Sequence, residues 1–235
     1  MPTLSDSFLT ALGLIVSGDA DLIEIVALSL RVSLTAVLLA ALIGLPLGAV
    51  LAVVRFPGRG LLIVVVNALM GLPPVVVGLV VYLTFSASGP LGVLEFLYTP
   101  AAMIVAQTVL VTPIIAALAR STLADLLGEY DETLRVLGAN RFDVVATLLW
   151  DGRFSLATAL LAGLGRALSE VGAVMLVGGN IDHVTRVMTT AIALETSRGA
   201  LPLALGLGIV LLLITLVLNA VVLGVRNRME AHAHA

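Results

Sequence analysis

The chain has no cysteine and no lysine. The first absence excludes disulfides, thiolate metal sites and thiol catalysis. The second excludes a glycine-rich phosphate loop ending in lysine, so the chain cannot itself be a P-loop ATPase. Charged residues are 11% of the 235 and aromatics 4%. So little charge could not cover a soluble surface. With a net charge of −3 and arginine as the only basic residue besides histidine, there is no basic patch for nucleic acid. Histidine is nearly absent too. His183 is the only one outside the tail, which excludes haem held by histidines inside spans. No serine has a base arranged beside it, so no catalytic set is present. The start lacks the basic region and small-residue cleavage site of a signal peptide. His232 and His234 could bind a metal, but their place in a short tail reads as an untethered end, and no metal site is expected.

What is abundant is apolar sequence, 60% of residues. Five long runs stand out, at about 27–54, 61–85, 101–119, 154–177 and 200–225. Each is near or above the length that crosses a hydrocarbon layer. The expected fold is an all-α integral membrane protein with five transmembrane helices. Before the first run, Phe8, Leu12 and Ile15 predict a short helix ended by Gly18 and Asp19, too short to span. Pro46, between Gly44 and Gly48, predicts a kink, and Gly71-Leu72-Pro73-Pro74 predicts a break in the second run. Pro202 fits the first turn of the last helix. The expected organisation is an interfacial or extracytoplasmic segment 1–26, a transmembrane domain 27–225 and a tail 226–235, unfolded from Met229. Residues 86–100 and 181–199 read as connectors, the latter amphipathic.

Arginine placement sets the orientation. Arg55, Arg59, Arg120, Arg135, Arg141, Arg153, Arg226 and Arg228 fall on one side of this topology; Arg31, Arg186 and Arg198 fall on the other. The first side is therefore cytoplasmic, with the N-terminus outside and the C-terminus inside the cell membrane.

The long polar loop 120–153 is the most informative stretch. Leu123, Leu126, Leu127, Tyr130, Leu134 and Leu137 recur at helical spacing. Ser121 or Thr122 can cap a helix start, Asp131 and Arg135 are an i,i+4 pair, and Gly138 is a stop. A second helix is expected from Asn140, turning Phe142, Val145 and Leu149 inward. Such a helix, glycine elbow and helix could rest on the bilayer surface or could meet a soluble partner. Within the membrane, Arg166 and Glu170 are four residues apart. They can pair and lock the packing, or Arg166 can line an anion path. Gly163, Gly165, Ala167, Ser169, Gly172 and Ala173 allow close helix approach. A secondary transporter or channel working without ATP would suit the broken helix and the buried charges, but gives the polar loop no task.

Glu132-Thr133-Leu134-Arg135-Val136-Leu137-Gly138 resembles the Glu-Ala-Ala, three residues, Gly motif of ATP-binding-cassette importer permeases. Thr133 and Leu134 replace the two alanines, and Trp150 and Asp151 stand where that family ends its motif with Leu-Pro. Gly71 to Leu79 and Gly165 to Ile181 resemble segments of sulfate, molybdate and tungstate permeases, most of all the tungstate branch. Arg166, Glu170, Gly172, Gly179, Asn180 and Ile181 match, and Ser169 replaces a glycine. The resemblance implies a MetI-like type I importer permease fold and a transport subunit that is not an enzyme. It implies a two-fold homodimer, a separate ATPase dimer that binds ATP and Mg, and an extracytoplasmic oxyanion-binding protein docking on the outer connectors. The chain itself then needs no cofactor. Coupling to the ATPase would fall to Glu129, Glu132, Arg135, Gly138, Ala139, Arg141 and Leu148. The candidates for the translocation path are Pro73, Pro74, Arg166, Ser169, Glu170 and Asn180.

Overall fold

The computed structural model describes residues 4–233, with side chains described for 6–221 and 224. His234 and the side chain of His232 lie outside that range, as do the side chains of Arg226 and Arg228. Ten α-helices follow in order among the described residues: α1 (Leu4–Ser17), α2 (Ala20–Val53), α3 (Arg59–Leu69), α4 (Pro74–Phe85), α5 (Pro100–Val136), α6 (Arg141–Asp151), α7 (Arg153–Leu168), α8 (Gly172–Gly178), α9 (Met188–Arg198) and α10 (Leu201–Ala233). A 3₁₀ turn, Gly92–Leu94, lies between α4 and α5. Three helices are long and apolar enough to cross a membrane: α2, α5 and α10 over Leu201–Val221. Counting the bent pairs α3 with α4 and α6 with α7 as one span each brings the number to as many as five.

The short opening helix ends where expected, with Gly18 in the left-handed region at φ 66°. Pro46 sits inside α2 without ending it. The second apolar run breaks at its prolines, and Pro74 opens α4, where a missing N–H costs nothing. Three expectations need correction. Ser121 and Thr122 cap nothing, because α5 runs unbroken through them. The fourth run is not one helix: it stops at Leu168 and restarts at Gly172. The end of the chain is helical through Ala233 rather than unfolded from Met229. The amphipathic connector 181–199 contains α9, which buries Met188, Thr189, Thr190, Ala191 and Glu195 and leaves 196–199 exposed.

The chain forms two compact units, each assembled from separate stretches. The first comprises 1–36, 73–107 and 165–220; the second comprises 37–72, 108–164 and 221–235. In the first, α4 and α8 pack so closely that a Cβ on Gly78 would stand 2.8 Å from Ala173 Cα. In the second, Gly48 of α2 lies equally close to α5, with Ala116 O 2.7 Å from a built Cβ. Ala49, Ala52, Ala119, Leu123, Leu148 and Leu156 form a core there, and Leu126, Leu127, Tyr130, Val144, Val145 and Leu149 pack on it. Small residues thus do in both units what they do in membrane bundles generally: they let backbones meet.

Candidate functional site: a capped elbow and a pinned helix break

The elbow belongs to the second unit. α5 stops in a left-handed turn. Gly138 has φ 69°, its N–H donates to Arg135 O at 3.0 Å, and the Ala139 N–H donates to Leu134 O at 3.0 Å. These are the two bonds of a Schellman cap. Two residues later Asn140 opens α6. Its Oδ1 accepts from the N–H groups of Phe142 and Asp143 at 2.8 and 3.1 Å, and Asp143 Oδ2 accepts from the Asn140 N–H at 3.1 Å. Both helix ends are therefore satisfied by residues within the turn itself, and the elbow holds its shape without help from the core. After α6 the chain bends by 70° into α7. Arg153 lies 4.6 Å over the Trp150 ring and 4.5 Å over Phe154 at that bend.

The elbow leaves a wide apolar tip. Val136 is 87% exposed, Leu137 74% and Phe142 87%. The helical spacing puts Leu137 on the apolar face of α5, and Phe142 is predicted to turn inward. Neither is covered, because the residues packed on the core stop at Tyr130, about two turns before Leu137, and resume only at Val144, past Phe142. Around this tip Glu129, Glu132, Arg135, Gly138 and Arg141 are exposed and Ala139 is half-buried. Arg135 pairs with Asp131 at 2.7 Å, as its spacing predicts. Leu148 is placed differently: it has no exposed surface and sits in the core.

The break between α7 and α8 belongs to the first unit. A helix interrupted inside an apolar bundle frees carbonyls and N–H groups that apolar neighbours cannot satisfy. Here side chains meet them. Gln107 Nε2 donates to Ala167 O at 3.0 Å, and the Thr189 hydroxyl donates to Glu170 O at 2.7 Å. Glu170 Oε1 accepts from the Ala173 N–H at 3.0 Å, so its carboxylate caps α8. Glu170 Oε2 takes the Arg166 guanidinium at 2.7 Å, with the glutamate side chain 3% exposed and the arginine 32%. The Arg166–Glu170 pair thus exists, although Glu170 lies in the break rather than on a shared helix. At the far end of α8, Gly179 takes φ 70° and the Thr185 hydroxyl donates to Gly178 O. Ser29 Oγ accepts the Met188 N–H at 2.7 Å, which ties α9 to α2.

The other path candidates fall in the same unit. Pro73 is exposed and Pro74 half-buried at the start of α4, and the Ser169 hydroxyl is turned back on Arg166 O at 3.1 Å. Asn180 has φ 51° and donates through Nδ2 to Thr190 O at 3.4 Å. Its Oδ1 and the Oε1 of Gln107 are buried without a hydrogen-bond partner in the described structure. Gln107 stands out in the sequence as a polar residue inside the apolar run 101–119. Thr185 and Thr189 did not, since threonines in a polar connector carry no signal. No group of three or more acids and histidines that could hold a metal occurs among the described residues.

Long apolar helices, breaks sealed from within and a self-capped polar elbow define a multi-span helical transport protein. Residues 44–232 match the family described as "Binding-protein-dependent transport system inner membrane component", and the chain belongs to that family. It is similar to the tungstate uptake system permease protein TupB of Peptoclostridium acidaminophilum, at 40% identity over 94% of this chain and 97% of the relative. The TupB of Campylobacter jejuni is 34% identical over 91% and 90%. The sulfate permease CysT of Escherichia coli is 30% identical over 74% of this chain and 66% of its own length. Among solved structures, an inward-facing MetNI methionine transporter superposes with a TM-score of 0.72 at 19% identity, covering 87% of this chain and 94% of the other. That likeness bears out the expected MetI-like fold. The chain is a membrane transport subunit and not an enzyme.

Proposed function

We propose that the chain is the permease of an ATP-driven importer for a tetrahedral oxyanion, tungstate first, with molybdate and sulfate the next choices. The observation that carries this reading is the near full-length similarity to two tungstate permeases. In this reading two copies form the pathway about a shared axis. A separate ATPase dimer, which holds ATP and Mg, grips the elbow of each copy from the cytoplasm. An extracytoplasmic oxyanion-binding protein delivers the anion to the other side, where the N-terminus lies. The apolar tip of Val136, Leu137 and Phe142 supplies the buried contact, and Glu129, Glu132, Arg135 and Arg141 supply the polar rim. Gly138 and Ala139 form the turn between them, while Leu148 supports the contact from below. Pro73, Pro74, Ser169 and Asn180 are offered to the pathway. Arg166 contributes there only through the third of its side chain that Glu170 leaves exposed.

An anion path needs weak, sequential contacts so that release is not stalled, and half-free donors of this kind suit it. An ATP-independent carrier would leave the elbow without a task. The test is reconstitution with the candidate ATPase and binding protein in liposomes, with ATP inside. Labelled tungstate should accumulate only with ATP, and replacing Gly138 with Trp should abolish accumulation. Uptake that persists without ATP would refute the reading.

A further inference from the structure

Two adjoining cavities open beside the elbow, within the second unit. One, of about 280 Å³, is lined by Ala52, Val53, Arg55, Arg59, Leu127 and Asp131 among others. The second, of about 250 Å³, shares Val53, Arg55, Leu127 and Asp131 and adds Arg135 and Arg141. Each has room for several waters at about 30 Å³ apiece. Together they form one groove in which four guanidiniums face a single carboxylate. That is a third of all the arginines in a chain with 12 basic residues.

The charges are not used up internally. Asp131 is engaged by Arg135 at 2.7 Å. Arg59 is held in place by carbonyls, its Nε donating to Leu51 O at 2.7 Å and its Nη2 to Ala52 O at 3.3 Å. Those bonds fix its position without cancelling its charge. Arg55 and Arg141 are exposed and pair with no acid among the described residues. The apolar span Ala20–Val53 ends two residues before Arg55, so the groove opens at the end of that span. The walls there are apolar: Ala52, Val53, Leu127 and Val144.

We propose that this groove binds a tetrahedral phosphate-like anion, presented either as the headgroup phosphate of an anionic lipid or as a free oxyanion. Guanidinium forks match tetrahedral oxyanions in geometry as well as charge. A pinned Arg59 and a paired Arg135 give the site fixed donors, and Arg55 and Arg141 close on the anion from the rim. The site is separate from the helix break, so it stands whatever the pathway carries; it shares Arg135 and Arg141 with the proposed ATPase contact, so Arg55→Gln, outside that contact, is the deciding variant.

The experiment uses the chain assembled with its ATPase in nanodiscs. In discs of zwitterionic lipid alone, calorimetry reads the binding of inorganic phosphate. In discs doped with phosphatidylglycerol, native mass spectrometry reads lipid retained on the released complex. Binding in the first arm assigns a free anion, and retention only in the second assigns a lipid. Arg55→Gln should weaken whichever ligand binds by about tenfold, and adding Arg141→Gln should weaken it further. Arg31→Gln, on an exposed arginine outside the groove, should change nothing. Failure of both probes to bind, equal binding by the Arg55 and Arg141 variants, or an equal loss in Arg31→Gln would overturn the proposal.

Discussion

The elbow and the α7–α8 break are both interruptions of a helix, and they are held in opposite ways. At the elbow every bond is local. Gly138 and Ala139 donate back to Arg135 O and Leu134 O, Asn140 and Asp143 cap each other, and the surface beyond them is left bare. At the break the ties are long-range. Gln107 and Thr189 reach in from 60 and 19 residues away, and Glu170 serves as ion-pair partner and helix cap at once. An interruption in water can rely on its own sequence, because solvent meets whatever it leaves unpaired. One in lipid must recruit neighbours.

That contrast can be broken at its strongest point first. Glu170→Ala leaves Arg166 unpaired and the start of α8 uncapped. The loss should fall toward the lower end of about 3–5 kcal/mol, because Arg166 is partly open to solvent. Chemical unfolding in detergent measures it, and Glu170→Gln, which keeps the cap, should lose clearly less. Next comes Gly78→Val, which drives side-chain atoms into the backbone of α8 and should cost about 1–3 kcal/mol.

Gly138→Ala should cost only about 1 kcal/mol, since its Cβ meets nothing and only the left-handed backbone resists it. A cost above that of Gly78→Val would mean that the elbow is core-supported after all. Phe142→Ser should leave stability within about 0.5 kcal/mol, as for other exposed positions, yet weaken co-purification with the ATPase. Unchanged association would remove the apolar tip from the coupling surface.

The smallest effect concerns His183, whose pKa is raised by its hydrogen bond to Glu24 and by the nearby charges of Glu24, Asp182 and Asp21. A raised value means that the bond helps fully below the ordinary 6.5 and fades as pH climbs through the folded value. A melting series across that window should show a slight decline that His183→Gln removes.

The same contrast explains what could be read from the residues alone. Local devices were legible: the stop at Gly138, the start at Asn140, the Asp131–Arg135 pair and the break at Pro73-Pro74 each carry their cause in adjacent letters. The α7–α8 break was not, because Ala167 to Gly172 contains no proline and Glu is a poor advertisement for a cap. Its cause lies in Gln107 and Thr189, which only the fold brings near. Ser121 and Thr122 misled for a related reason. A residue able to cap does so only where a helix ends, and α5 had no reason to end there. Phe142 obeyed the helical period, but periodicity predicts burial only where another element waits to cover the face.

The helix α5 is longer than the layer it would cross. Its 37 residues make a rod roughly 55 Å long at about 1.5 Å each, against a hydrocarbon layer about 30 Å thick. It must protrude as an arm, and by that length a tilt of about 10° at one end sweeps the other through roughly 10 Å. In the proposed importer a pull on that arm would reach the span through α5 itself, so stiffness along the helix, Pro113 included, would set how much of the movement is delivered.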